Sequence, residues 1–167
     1  LHKTPVSLWN GQQLLAVVNV AKGIEEKTFK TLDAVIKDEL PFLPESKICA
    51  LSGPSHAEEV ARKIPTTVVI AGSNENLLCQ LQTVFSNAYF RVYRNLDLIG
   101  VEIGGAVKNI IAIAAGIISG LGFGDNTIGA LLTRGIVEIQ RLGVALNACP
   151  ETFLGLSGIG DLITTAT

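Results

Sequence analysis

The 167-residue sequence has no methionine, only 3 cysteines and a single tryptophan, and each shortage excludes something. Cys49, Cys79 and Cys149 stand far apart, with no Cys-x-x-Cys pair and no neighbouring histidine. That spacing fits neither a disulfide framework nor a tetrahedral metal set, so reduced, mostly buried thiols are expected and no metal. No positively charged start leads into a short apolar run and a small-residue cleavage site, which leaves the cytoplasm as the expected location. The chain does not open on methionine, so a piece of a longer protein is expected. Aromatic residues make up 5%, and 13 Lys and Arg stand against 15 Asp and Glu. Neither a phosphate-tracking basic surface nor a base-stacking platform is present, so nucleic acid is not an expected partner. Charged residues are also scarce, at 17% against 48% hydrophobic, and this composition describes a globular chain with a substantial core.

What charge there is lies mostly at the front. Residues 1–95 hold 19 of the 28 charged side chains but 4 of the 17 glycines, and residues 96–167 hold the rest. Two units with different packing are therefore expected, divided at 95/96. The first alternates strand and helix, the pattern of a parallel sheet with crossover helices. Strands are predicted at Leu14–Val20, Lys47–Ser52, Thr66–Gly72 and Ala88–Tyr93. A helix is predicted over 28–39. Another is predicted from His56, opened by a Ser55/Glu58 capping box, and a third, capped by Ser73, runs to about Phe85.

The second unit opens with an apolar run, Leu98 to Phe123, as long as a membrane span and marked by small-xxx-small pairs such as Gly100/Gly104. Glu102, Lys108 and Asn109 lie inside it, each costly in lipid, and no basic cluster flanks it. A buried helix of a water-soluble protein is the expectation, with no membrane span. The segment Gly124–Thr127 then caps a second helix ending near Gly143, and Pro150 suits the first turn of a third.

Lys108 is the most informative single residue. Its helical neighbours Gly104, Gly105, Ala112 and Ala115 are all small, leaving a hollowed face that a flat ligand could approach. An ammonium held in such surroundings is shifted toward the neutral amine useful in general acid-base chemistry. The bland alternative is a lysine that reaches solvent or pairs with Glu102. Lys22 follows a strand, at the carboxyl end of the sheet where open α/β folds bind ligands, or is merely solvated there. In Leu51–His56, Gly53 lets backbone approach a ligand while the first helical amides point outward, or the segment is simply a helix start. His56 is a weak catalytic candidate. Gly155–Thr165 contains glycines at a deceptive spacing, but no strand precedes them. The break presents Asp161, Thr164 and Thr165 as a polar island, a partner for a buried amine or a ligand hydroxyl, or else an Asp cap.

Together AKGIE, LSGPSHAEEVA, FRVYRNLDLIGVEIGGAVKNIIAIAAGIISGLGFGDNT, LLTRGIVE and GLSGIGDLITT resemble the NAD(P)-dependent glycerol-3-phosphate dehydrogenases of the bacterial type, in order and spacing, from about Val18 onward. The resemblance implies a partial Rossmann-like α/β parallel sheet (1–95, the C-terminal portion of a dinucleotide-binding domain) followed by part of an all-α substrate domain (96–167). It implies NAD or NADP as cofactor, and interconversion of sn-glycerol 3-phosphate and dihydroxyacetone phosphate in glycerophospholipid precursor synthesis. Lys108 matches the catalytic lysine, which takes the C2 hydroxyl proton as hydride leaves. Lys22 matches a second active-site lysine near substrate and cofactor. Gly53 and Ser55 match substrate-side positions, Ala57 a cofactor-side one, and Asn109, Asp161 and Thr165 polar residues that orient substrate and lysine. Two amines in one site depress each other's pKa while Asp161 opposes them, a balance that spacing does not fix.

No Gly-x-Gly-x-x-Gly occurs in residues 1–25, and the family's Ser-Arg-Asn element would follow Thr167. The expectation is the middle of such an enzyme, inactive and poorly soluble alone, and a homodimer when complete. Two other readings are another two-domain NAD(P)-dependent reductase of a small 2-oxo compound and a non-catalytic helical interaction module.

Overall fold

β-branched runs build the sheet, and the spacing between them decides its directions. The structure, a computed structural model, describes residues 16–166. In chain order its elements are β1 (Val17–Asn19), α1 (Leu32–Glu39), β2 (Ile48–Ser52), α2 (Ala57–Ala61), β3 (Thr66–Ala71), α3 (Glu75–Phe85), β4 (Phe90–Asn95), α4 (Leu98–Gly120), α5 (Asp125–Ala145) and α6 (Asp161–Ala166). Four strands lie in the order β1-β2-β3-β4. The β1/β2 and β3/β4 pairs are parallel, as expected for this fold class, but β2/β3 is antiparallel. The correction has a simple cause. A parallel return needs a crossover that travels back along the sheet, and α2, with 5 residues, advances only about 7 Å. The 11 residues of α3 advance about 16 Å, which suffices for β3/β4.

Other boundaries shift for local reasons. Leu14 and Leu15 of the first predicted strand lie outside the described residues. The helix predicted from Thr28 begins at Leu32, because Phe29 takes a left-handed φ of 56° and its N–H closes a turn onto the Glu25 carbonyl. Asn74, not Ser73, caps α3, its Oδ1 accepting the Leu77 N–H at 3.1 Å. The Ser55/Glu58 capping box does not form: α2 has no side-chain cap, and the Ser55 hydroxyl donates to the Gly53 carbonyl at 3.4 Å. Of the thiols only Cys49 is buried. Cys79 follows the buried Leu78 and so sits a third of a turn round α3, on its outer face, and Cys149 lies in the turn before Pro150.

The sheet core joins Cys49, Val68, Ile70, Leu78 and Val92, and a separate helical core joins Ile103, Ile136, Ile139, Phe153 and Leu162. α4 belongs to both neighbourhoods, since its first turn sends Val101 between Ala50, Val69 and Ala71. Asp97 fixes that entry. Its Oδ1 accepts the Gly100 N–H at 2.9 Å, and its Oδ2 accepts the Cys149 N–H at 2.9 Å and the Thr152 hydroxyl at 2.7 Å. Past α5 the chain makes a 3₁₀ turn over Pro150–Leu154 where the third helix was expected. A single π-type turn, Leu156–Gly160, then leads into α6.

Phe153 is wholly buried, and its ring occupies the space a side chain at Gly143 would need: a Cβ there would lie 2.0 Å from Cζ. Gly143→Ala is expected to push the ring out and lower stability by about 1–3 kcal/mol, read as a fall in the denaturant midpoint.

Candidate active site

Three elements converge on one ion cluster. The loop after β1 delivers Lys22, the middle of α4 delivers Lys108, and the π-type turn delivers Asp161 as the first residue of α6, buried at 3% exposure. Lys22 Nζ pairs with Asp161 Oδ2, and Lys108 Nζ lies 3.4 Å from Asp161 Oδ1. One carboxylate therefore faces two amines.

Lys108 does not reach solvent, being 5% exposed. Nor does it pair with Glu102: six residues on a helix put the two side chains about 9 Å apart along the axis and on different faces. Its amine instead donates to Thr165 Oγ1 at 2.6 Å and Asn109 Oδ1 at 3.0 Å. Thr165 gives its own hydroxyl hydrogen to the Asp161 carbonyl at 2.7 Å, so the oxygen is committed to accepting from Lys108. With Asp161 the amine faces three acceptors, one for each hydrogen of an ammonium. Burial lowers the Lys108 pKa below the ordinary lysine value, Asp161 opposes that, and Lys22 adds to it. The balance left open by spacing is thus a net lowering, which favours the neutral amine more than an ordinary lysine does.

The hollow beside Lys108 is filled by the chain itself, contrary to the expectation of a flat ligand against the helix. A Cβ at Gly104 would lie 2.8 Å from the Ser157 carbonyl oxygen, and one at Gly105 2.9 Å from Ser52 Oγ and 3.4 Å from the Lys22 stem. These glycines let the sheet edge and the Asp161 turn close onto α4, which brings the amines together.

Gly53 sits at this edge with φ 138°, and its carbonyl accepts from Lys22 Nζ at 3.3 Å. Ser55 shares that carbonyl, its hydroxyl donating to it at 3.4 Å, and Ala57 opens α2. His56 turns elsewhere, its Nε2 meeting the Thr164 carbonyl at 3.2 Å. Ser52 Oγ is buried and finds no hydrogen-bond partner among the described residues. Clefts of about 530 and 350 Å³ lie apart from the cluster, the first between α2 and the β3/β4 end, the second beside Cys149 and Tyr93.

Sequence reasoning passed over Asn19 and gave Glu102 the wrong partner. Glu102 is 8% exposed, and accepts from Asn19 Nδ2 at 3.1 Å and from the Asp33 N–H at 3.2 Å. Burial, with the Asp33 carboxyl beside it, pushes its own carboxyl up to about 7. The available signal was an acid inside an otherwise apolar run.

The sequence pattern described as NAD-dependent glycerol-3-phosphate dehydrogenase N-terminus matches residues 7–78, and that of the C-terminus of the same family matches residues 97–167. Among curated relatives, the glycerol-3-phosphate dehydrogenase [NAD(P)+] of Clostridium botulinum (strain Eklund 17B / Type B) is 56% identical over 156 residues, covering 93% of this chain and 46% of its own length. Among solved structures, glycerol-3-phosphate dehydrogenase from Coxiella burnetii superposes with a TM-score of 0.85 at 41% identity, over 91% of this chain and 46% of that one. The Saccharomyces cerevisiae enzyme does so with a TM-score of 0.82 at 29% identity, over 96% and 49%. The chain spans about half the length of the curated relatives it matches.

Proposed function

Because the chain belongs to the NAD-dependent glycerol-3-phosphate dehydrogenase family, we propose that the protein containing it interconverts sn-glycerol 3-phosphate and dihydroxyacetone phosphate with NAD or NADP. The observation that carries this reading is the buried Lys108 amine, held by Asn109, Thr165 and Asp161 with Lys22 on the far side of the same carboxylate. A buried amine shifted toward neutrality suits proton removal from an alcohol.

In alcohol oxidation the neutral Lys108 amine accepts the C2 hydroxyl proton, and in carbonyl reduction the ammonium returns it. Asp161 and Thr165 offer the new N–H bonds acceptors as the charge forms, and Asp161 stabilises that charge. Lys22, with 30% of its side chain exposed, is the amine on the solvent side of the pair, placed to meet anionic groups of substrate or cofactor. The edge made by Lys22 and the Gly53 turn fits a phosphorylated, hydroxyl-rich ligand, and Gly53 and Ser55 belong to the substrate side of this reading, Ala57 to the cofactor side. A nicotinamide dinucleotide, when bound, supplies the hydride-accepting carbon.

The same reading divides the chain at 95/96, supported by the end of β4 at Asn95 and the start of α4 at Leu98. It places the protein in the cytoplasm, supported by three unpaired thiols. α4 is long and apolar enough to cross a membrane, but we read it as no span, since both its charged residues find partners inside the protein. A homodimer completes the proposal: Ile110, Ile113, Ile117 and Leu121 form an exposed stripe on α4, and a further part of the protein or a second subunit would cover it.

Following NADH and NADPH oxidation by the complete protein tests the reading. Dihydroxyacetone phosphate is expected to exceed ketopantoate by at least about 100-fold in kcat/KM. The reverse preference would assign the protein to another 2-oxo compound.

A further inference from the structure

One buried carboxyl holds both ends of the loop that carries Lys22. Glu102 lies one and a half turns before Lys108 on α4. Its Oε2 accepts the Asp33 N–H at 3.2 Å, in the first turn of α1, where Thr31 provides no side-chain cap. Its Oε1 accepts from Asn19 Nδ2 at 3.1 Å, at the end of β1. Asn19 grips Ala21, two residues on, at both of its backbone groups, Oδ1 accepting the Ala21 N–H at 2.9 Å and Nδ2 donating to the Ala21 carbonyl at 3.1 Å. Lys22 is the following residue, with Nζ on Asp161 and on the Gly53 carbonyl.

The chemistry of Asn19 makes this chain of contacts directional. Its amide has one accepting and one donating end, and Ala21 and the Glu102 carboxyl together fix which way it faces. With Nδ2 turned to the carboxyl, Oδ1 is left for the Ala21 N–H. Without that acceptor Asn19 keeps only its Ala21 contacts, which travel with the loop, and the mostly exposed segment 20–31 loses its tie to α4 at the Lys22 end, keeping Ile24 on the helical core and its own turns.

We propose that Glu102 is a positioning residue, which through Asn19 and Ala21 sets the place of the Lys22 amine relative to Lys108. This rests on the reading of Lys22 as a site residue. An acid without a cation partner is expensive in a core, and an aliphatic side chain would pack there at lower cost. The role therefore has to come from what the carboxyl holds. Because Glu102 and Lys108 share one helix, the loop is indexed to the element that carries the other amine.

The test is a double-mutant cycle in the complete protein, with Lys22 reactivity as a second readout. Glu102→Ala is expected to lower kcat/KM by about 10–100-fold, with the same division between kcat and KM as Lys22→Ala. In the Lys22→Ala background it should add less than about twofold, because the residue it acts through is gone. Glu102→Gln, whose amide oxygen still accepts from Asn19, should recover kcat/KM to within about threefold, and Asn19→Ala should behave like Glu102→Ala. Acetylation of Lys22 by acetic anhydride, followed by mass spectrometry, should accelerate at least about threefold in Glu102→Ala or Asn19→Ala as the amine leaves Asp161. Full multiplication of the two kinetic effects, or an unchanged Lys22 labelling rate in a folded variant, overturns the proposal. If Lys22→Ala itself leaves turnover intact, the site reading of Lys22 fails, and the labelling rate still reports whether Glu102 places the amine. Should Glu102→Ala not fold, Asn19→Ala and Glu102→Gln decide by the same two readouts.

Discussion

Lys108→Ala in the complete protein is expected to lower kcat for dihydroxyacetone phosphate reduction by at least about 1,000-fold while the fold persists. The amine can both take and return a proton, and of the two amines in the cluster it is the buried one, with burial lowering its pKa below the ordinary lysine value. Its neighbours cannot replace it. Asn109 and the Thr165 hydroxyl do not titrate usefully, and Asp161 is held between two amines. The fold is expected to persist because Asp161 keeps Lys22 as its partner, so no buried carboxylate is left unpaired. The check pairs steady-state kinetics with thermal unfolding. Turnover within tenfold of the parent enzyme would show that proton transfer lies elsewhere.

Asp161→Asn should produce the second large effect, about 100-fold in kcat, together with a displaced pH profile. The sign follows from the contacts. Burial lowers the Lys108 pKa, Asp161 raises it and Lys22 lowers it. Neutralising Asp161 removes a contribution that favours the ammonium, so the ascending limb of alcohol oxidation moves to lower pH, and carbonyl reduction, which needs the ammonium, fails from a lower pH. Lys22→Met acts the other way and moves the limb up. Profiles of kcat against pH for the two variants, run in both reaction directions, check the pair of opposite shifts. A limb that stays in place in Asp161→Asn would mean that carboxylate and amine do not interact, and one that moves upward would reverse the sign argued here.

The cluster was legible in the sequence to an unequal degree. Lys108 stood out because a cation inside an apolar run needs a reason, and Asp161 because it interrupts a second apolar stretch. Their meeting depends on Gly104 and Gly105, whose smallness was visible but whose use was misread: they admit the chain's own Ser157 carbonyl and Ser52 side chain. The strands were legible from β-branched runs, whereas the antiparallel β2/β3 pair depended on the length of α2, and a five-residue helix is easily overestimated from a capping pattern. The Glu102 relay was out of reach, since it joins residues 83 apart through a side-chain amide whose orientation is purely tertiary.

The entry of α4 onto the sheet bears on how this molecule can be divided. The chain changes from strand to helix between Asn95 and Leu98, yet Val101 fills the gap among Ala50, Val69 and Ala71, and Glu102 grips Asn19. The first turns of α4 are therefore packed on the sheet although the chain has already left β4. A chimera that exchanges one half between relatives keeps its contacts only if these first turns travel with the strands they cover.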